Sequence, residues 1–270
     1  MGLFDIIDDI AEKQVMKTET GDNRVFGVMT GIVAKNYDKD MPGRICVSIP
    51  VRDDGGNELK WARMVMPSSG KEWGHYFMPE VGDMVLLVFD QGNIEKPFVI
   101  GCIPNDNNKF LTRAVDERNR YKKIITKNGN SIIFEDNPEG DGEQDKIEII
   151  TAKEKHKIIL DNEKNIISIS DKNGDNKILM KTEAGQMEIK ADKKLVINVG
   201  TNINVTLNGS NGAVTVECDK FNVKAGNGIV MESNAQAKLT GANISIEATS
   251  VLKANSNGTA VVKGMPLKLG

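Results

Sequence analysis

The chain has 270 residues, enough for one large or two ordinary domains, and its 35 basic and 38 acidic residues leave a net charge of −3. That near-balance offers no basic face to nucleic acid or to an anionic membrane surface, and no apolar run is long enough to cross a bilayer. Asp5, Asp8 and Asp9 stand where a secretion signal would be basic, so synthesis in the cytoplasm without a signal peptide is expected. Cys46, Cys102 and Cys218 are odd in number and far apart, with no metal-type spacing; they read as reduced, mostly buried thiols. Aromatic residues are 5% of the chain, and Trp61, Trp73, Tyr76, Phe77, Phe89 and Phe98 all precede residue 100. After Phe134 the only aromatic is Phe221, so the composition divides the chain near residues 110–140.

Leu3, Ile6, Ile7 and Ile10 recur at i, i+3, i+4 and i+7, with Phe4 and Ala11 beside them, which predicts a helix over residues 3–16. Acidic residues in its early turns and Lys13 and Lys17 near its end suit the helix dipole. Such a helix either docks on its own domain or forms an arm that packs on another protein. Residues 18–23 read as a linker.

Residues 24–104 read as a compact β domain. Strands are predicted at Val25–Val33, with Gly31 a bulge, at Arg44–Ile49, at Trp61–Val65, at Met84–Phe89 and at Pro97–Gly101, with a hairpin turn at Asp53–Asn57. Five short strands with bulges and no long helix fit a small Greek-key barrel of the OB type. Gly43 and Gly82 fit turns needing positive φ. Pro79 fixes the entry to a central strand, and Trp61 and Trp73 read as core or subunit-contact anchors.

Residues 105–145 read as a transition. The charged stretch from Leu111 to Tyr121 reads as an extended arm. A hairpin turning at Asn128-Gly129 joins Ile124–Thr126 to Ser131–Phe134, and residues 137–145 form an exposed loop.

From Lys146 onward the chain is a succession of short apolar-polar alternations cut by Gly, Asn, Asp or Ser, each the pattern of a strand with one buried face. They begin with Lys146–Thr151, Lys157–Asp161 and Ile166–Ser170, and continue through Phe221–Ala225, Ile229–Glu232, Ala237–Thr240 and Ile244–Ala248 to Val261–Lys263. Ile189, Ile197 and Val205 lie eight residues apart, as do Val223, Met231 and Leu239. A unit of eight residues cannot bury its own apolar face, so neighbouring units or other chains must cover it. A three-faced coil within one chain needs a repeat of about 20 residues or more, and no such period is present. Three chains winding together satisfy the octad directly, so an obligate intertwined trimer is expected over residues 146–270. Up to about residue 195 the strands are rich in Lys, Glu and Asp; beyond it Asn, Thr, Ser, Gly and Ala dominate, the Asn residues suiting turns. About 15 strands at ~4.8 Å make a rod of roughly 70 Å, with a dry interior of Ile, Val and Leu.

Five motifs in fixed order carry a resemblance to the VgrG and phage baseplate spike group, also called baseplate assembly protein V. Met41–Ile49 resembles its D-x-x-G-R-V-x-V strand, and Trp61-Ala-Arg63 its W-x-R-V. Gly70–Val85 resembles A-G-x-x-W-G-x-x-x-x-P-x-V-G-D-E-V. Phe89–Asn93 and Lys96–Gly101 resemble F-x-x-G-D and x-P-x-I-x-G. The repeats behind them resemble that family's triple-stranded β-helix needle, and Lys263–Gly270 resembles the G-x-P-I-K-L-N ending that closes it.

The resemblance implies an all-β fold: a short N-terminal helix or arm (residues 1–23), an OB-fold barrel (24–104), a linker and transition hairpin (105–145) and a trimeric triple-stranded β-helix needle (146–270). It implies a homotrimer that is the structural spike of a contractile injection system or phage-type tail, assembled into the particle's baseplate and driven through a target membrane or cell wall. The barrel end would sit on a separate hub or baseplate protein, with Leu3, Phe4 and Ile7 as contacts. Met265, Pro266, Leu267, Lys268 and Leu269 would form the platform for a PAAR-like tip protein.

No catalytic residue, cofactor or metal is expected. His75 and His156 are the only histidines, and neither has a sequence partner for catalysis. The His-x-His pair by which some spikes of this group hold iron is absent, and so are nucleophile-elbow and Walker-type loops. Carboxylate pairs such as Asp53-Asp54 are ordinary turn chemistry. The passage from barrel to needle leaves no space for an inserted lysozyme, nor does the ending at Gly270 for an effector domain. The alternative, a β-helical tail-spike enzyme acting on cell-surface polysaccharide, needs a cleft with paired carboxylates or sugar-stacking aromatics, which the needle sequence lacks. An OB-fold nucleic-acid binder would need basic grooves, against which the net charge argues.

Overall fold

The computed structural model describes residues 24–50, 57–105 and 108–267. The helix expected over 3–16, the linker at 18–23 and most of the turn at 53–57 lie outside them. The chain divides into two compact units, residues 1–193 and 194–270.

In the first unit, strands β1 (Met29–Lys35), β2 (Arg44–Pro50), β3 (Asn57–Met64), β4 (Met84–Phe89) and β5 (Pro97–Ile103) close into a barrel in the order β1-β2-β3-β5-β4. β1 also pairs β4, and β3–β5 is the one parallel pair of the barrel. Strict alternation explains the core. Ile45, Val47 and Ile49 point inward from β2 and meet Val33, Ala62, Val85, Leu87 and Val99, none more than 1% exposed. Each Val, Leu or Ile so buried contributes about 1.5–3 kcal/mol. Met29, Met64, Met78 and Phe89 pack against this cluster as partly buried plugs.

The first strand starts later than its apolar run. Phe26 and Val28 are exposed, and Gly27 has a φ of +103° that breaks the extended chain ahead of Met29. Gly31 is not a bulge: it stands in register opposite Val85, and the register shift falls between Val33 and Lys35. Glycine is needed at position 31 because a Cβ there would lie 2.9 Å from Leu87 Cδ1 and 3.2 Å from the Ser48 carbonyl. Gly43 and Gly82 do have positive φ. Trp73 is no core residue, being 68% exposed; its indole lies against Gly70 at the tip of a loop closed by the Gly70 N–H to Trp73 carbonyl bond. Cys46 is buried, but Cys102 is exposed, contrary to the expectation of mostly buried thiols.

The stretch expected as an extended arm contains a short helix, α1 (Lys109–Ala114). Asn108 starts it by accepting hydrogen bonds from the Phe110 and Leu111 amides. A polar cluster then fastens the following turn to the next hairpin. Arg120 pairs with Asp116 at 3.0 Å and with Glu135 at 3.4 Å, and the Tyr121 hydroxyl donates to Glu135 at 3.0 Å. The Arg120 hydrogen bond holds the Asp116 carboxyl below its usual range, and the bond to Glu135 pushes the Tyr121 phenol up.

Seven strands follow as one antiparallel meander: β6 (Tyr121–Ile125), β7 (Ser131–Glu135), β8 (Lys146–Ile150), β9 (His156–Asp161), β10 (Ile166–Asp171), β11 (Lys177–Lys181) and β12 (Gln186–Lys190). The transition hairpin is therefore continuous with the repeats behind it. Its Asn128-Gly129 turn is a five-residue loop with Gly129 as the left-handed residue, closed by the Gly129 amide on the Thr126 carbonyl. Later turns are held by aspartates: Asp161 accepts from the Lys164 amide, and Asp171 from the Asp175 and Asn176 amides. Because each strand returns directly beside its predecessor, hydrogen-bonding edges between β6 and β12 are satisfied within the chain. The ladders of these residues are drawn within one chain, and the chain-to-chain winding that the octads suggested is not shown over them.

The second unit contains β13 (Lys194–Val199), β14 (Ile203–Asn208) and β15 (Ala213–Glu217), an antiparallel meander in the order β13-β14-β15. Beyond Glu217 the described residues form no strand. The alternating runs at 221–225, 229–232, 237–240, 244–248 and 261–263 have no ladder partner among the described residues, and a strand without a partner satisfies neither of its edges.

Candidate functional site

The meander of the first unit puts most of its large apolar residues on one face, while Ile125, Ile133, Ile150, Ile159, Ile166 and Leu179 lie on the other. Register carries a single column of isoleucine across all seven strands: Ile124, Ile132, Ile149, Ile158, Ile169, Ile178 and Ile189 are successive cross-strand partners. A second column beside it runs Phe134, Ile147, Leu160, Ile167, Met180 and Met187. Every isoleucine of the first column is between 37% and 54% exposed. Six strand spacings of ~4.8 Å make this face about 29 Å long. A continuous apolar surface of that length exceeds what a soluble monomer ordinarily leaves open.

The opposite face of the sheet is mixed and charged. Lys146 pairs with Glu148 at 2.6 Å and Lys177 with Glu188 at 3.0 Å, and Ser168 and Ser170 lie between. The Glu148 hydrogen bond raises the Lys146 ammonium above its ordinary pKa. The two faces thus differ in chemistry, and the apolar one lacks a covering layer among the described residues.

In the second unit the same deficit is more severe. Every residue from Asp219 to Leu267 is exposed, including Val230 at 82%, Met231 at 88% and Leu239 at 73%. The segment leaves its backbone edges and its apolar side chains unpartnered together.

Of the residues expected at the tip, Met265 is fully exposed and Leu267 is 49% exposed; both follow the strandless stretch, with Pro266 between them. Lys268 and Leu269 lie outside the described residues, as do the expected hub contacts Leu3, Phe4 and Ile7. His75 sits on the barrel loop with its Nδ1 2.8 Å from Ser68 Oγ, and no carboxylate among the described residues hydrogen-bonds to its ring. His156 opens β9, exposed, with Thr151 Oγ1 at 3.4 Å. Among the described residues no group of three His, Cys, Asp or Glu side chains is arranged to hold a metal ion, and no helix is long and apolar enough to cross a membrane.

The isoleucine column was not legible as a column. Its spacings of 8, 17, 9, 11, 9 and 11 residues are irregular, because turns of different length separate the strands. The signal that finds it is the single isoleucine recurring at one position of each alternating run, aligned by strand rather than by count.

Residues 29–103 match the model of the type VI secretion system/phage-baseplate injector OB domain. No curated protein matches the chain. The matched span starts at the first residue of β1 and ends at the last of β5, so it coincides with the closed barrel. The barrel at residues 29–103 is thus similar to the injector OB domain of type VI secretion systems and phage baseplates, which supports a component of a phage-tail or secretion spike.

Proposed function

We propose that three copies of this chain form the central spike of a contractile injection particle, and that the spike acts mechanically and not as an enzyme. One observation carries the reading. From Tyr121 to Leu267 alternating runs present apolar side chains that no other element among the described residues covers. Copies of the same chain are the simplest cover, because each brings an identical apolar face. Over β6–β12, three sheets turn their isoleucine columns to a common axis and keep their charged faces outward. From Asp219 onward, where the edges are open too, the copies supply ladder partners, and the chains wind around one another there. Small residues such as Gly226, Ala235, Ala237 and Gly241 allow three backbones to approach closely.

Such a rod suits piercing. Separating its chains requires breaking many ladders at once, so it resists buckling and unfolding kinetically. In this reading the barrel end is held by a separate hub or baseplate protein contacted through Leu3, Phe4 and Ile7. The opposite end, with Met265, Pro266, Leu267, Lys268 and Leu269, seats a PAAR-like tip protein, and the assembled spike is driven into a target membrane or cell wall.

The test is the mass of the purified protein in dilute buffer, and in SDS without heating. A particle three times the 29.5 kDa chain mass, persisting in cold SDS and collapsing to one chain on boiling, is expected. A compact, soluble single chain sinks the proposal.

A further inference from the structure

We infer that neighbouring copies interlock by their turns: the 151–155 turn of each chain seats in an acidic notch on the next. This rests on the threefold arrangement proposed above and identifies the edges by which adjacent sheets meet. The seven-stranded meander has two rows of turns. Residues 126–130, 151–155 and 172–176 connect strands along one edge, and residues 136–145, 162–165 and 182–185 along the other. The second edge carries Glu139, Glu143, Glu163 and Glu183, none of them in an ion pair among the described residues. Its one lysine, Lys164, is held by Asp161 at 3.4 Å. The first edge carries Lys153 and Lys155, both exposed and likewise without an ion pair among the described residues. Glu154 between them is taken by Lys157 at 2.8 Å. The other two turns of that edge use glycine, Gly129 and Gly174, as their left-handed residue. The 151–155 turn instead holds Lys153 at φ +60° and Glu154 at φ +58°, a conformation that residues other than glycine rarely adopt. Charge is kept at this turn in spite of the backbone strain.

The notch lies on the second edge at the matching height. Glu143 and Gln144 form one wall and Asn162, Glu163 and Asn165 the other, around about 520 Å³, and no cation lines it. Hydrogen bonds fix its shape: the Asn162 amide donates to the Asp145 carbonyl at 3.0 Å, and Asn162 Nδ2 to the Gly142 carbonyl at 2.8 Å. Turns of a meander alternate between its edges. The turn between β8 and β9 therefore sits one strand spacing, ~4.8 Å, from the β7–β8 loop on one side and from the β9–β10 turn on the other. Rotation about an axis along the stack leaves that height unchanged, and cyclic symmetry brings one edge of each copy against the opposite edge of the next. The 151–155 turn of one copy thus enters the gap between the 136–145 loop and the 162–165 turn of its neighbour, and Lys153 and Lys155 meet Glu143 and Glu163 there. The same stagger sets the turn carrying Lys172 between those carrying Glu163 and Glu183. A slip of one strand between copies puts turn against turn and empties the notch. The charged edges therefore fix the axial register, which a column of identical isoleucines leaves open.

The test is zero-length coupling of the purified full chain by a carbodiimide, which joins a carboxylate to a lysine amine in contact with it as an amide, with loss of water. Within one chain the two edges are held apart by the length of β8 and β9, about 17–20 Å, so a link between them marks two copies. Links from Lys153 or Lys155 to Glu143 or Glu163 are expected by mass spectrometry of the digest, with bands of two and three chains on a boiled gel. K153E/K155E is expected to lose those links. It is also expected to fall to single chains in warm SDS about tenfold faster, since each lost pair recurs round the axis. Adding E143K/E163K to that variant restores opposite charges with their sides exchanged and is expected to bring the rate back. A trimer that yields no link between the two edges overturns the inference, as does one whose dissociation ignores K153E/K155E, and both results leave the threefold arrangement standing. A single chain in dilute buffer overturns the inference and the arrangement together.

Discussion

At the scale of single residues, the barrel depends on close approach as much as on apolar content. Gly31 shows this. It lies in β1 opposite Val85, and the nearest obstacle to a side chain is the Leu87 methyl, itself in the fully buried core. An added methyl must displace Leu87 or lift β1 from the Ser48 carbonyl. Gly31→Ala is therefore expected to destabilise the barrel by about 1–2 kcal/mol. Gly101 in β5 is the control: its φ is not left-handed and nothing lies within 4 Å of a built Cβ, so Gly101→Ala is expected to change stability by no more than about 0.5 kcal/mol. Both tryptophans, Trp61 and Trp73, belong to the barrel region, so intrinsic fluorescence during thermal unfolding reads the barrel alone. The special backbone at Gly43 and Gly82 was visible in the sequence, where Gly31 read as a bulge. The cause at Gly31 was not, because Leu87 is 56 positions away and only barrel closure brings it near. Of the two expectations for Trp73, core or subunit contact, the core one fails for the converse reason: a large aromatic is usually buried, but its loop folds back on Gly70 instead of into the barrel.

At the scale of elements, alternation fixed which residues share a face, while turn length decided which strand lies beside which. The five barrel strands, the hairpin at 121–135 and the later strands up to Glu217 were readable from period-two patterns and turn residues, whereas the runs expected as strands from Phe221 onward form none among the described residues. What could not be read is that β6 to β12 pair among themselves, since an apolar-polar alternation specifies a face and says nothing about whose edge completes the ladder. Short turns closed by Asp161 and Asp171 make the antiparallel return possible, and the octad count does not register them. The isoleucine column then offers a sharp experiment. Ile158 is at the centre of the column, 37% exposed in the single chain. Lysine there costs an isolated sheet only about 1 kcal/mol of lost apolar contact. Around a threefold axis it brings three ammonium groups into a dry interior, each costing several kcal/mol without a partner. Ile158→Lys is expected to abolish the trimer, leaving monomer or aggregate by light scattering after gel filtration. Ser168→Lys, on the opposite, mixed face of the neighbouring strand between Ile159 and Leu179, is expected to leave the trimer intact. Equal effects from the two substitutions would mean that the apolar face is not the one in contact.

At the scale of the whole molecule, the described residues are graded in how much of their edges and apolar faces they leave open. The barrel closes on itself and buries its own core. The sheets at 121–190 and 194–217 satisfy strand edges internally but leave an apolar face open. The segment from Asp219 to Leu267 satisfies neither edges nor faces. Backbone hydrogen exchange separates these levels, because an amide is protected only where a ladder holds it through the opening that exchange requires. In the proposed trimer the other copies would supply the acceptors, so amides at 221–225, 229–232, 237–240 and 244–248 are expected to exchange as slowly as those of β8–β10. In the Ile158→Lys protein, any soluble monomer is expected to keep protection in the barrel strands β1–β5, since closure there owes nothing to association. Its C-terminal amides should exchange at the rate of an unstructured chain. The contrast has to appear within one molecule and one measurement. Slow exchange beyond Asp219 in a verified monomer would show that this segment finds partners in its own chain, and the case for three intertwined copies would be lost. Fast exchange there in both proteins would leave the sheets to associate by their faces alone, with an end too loosely held to lead a spike through an envelope.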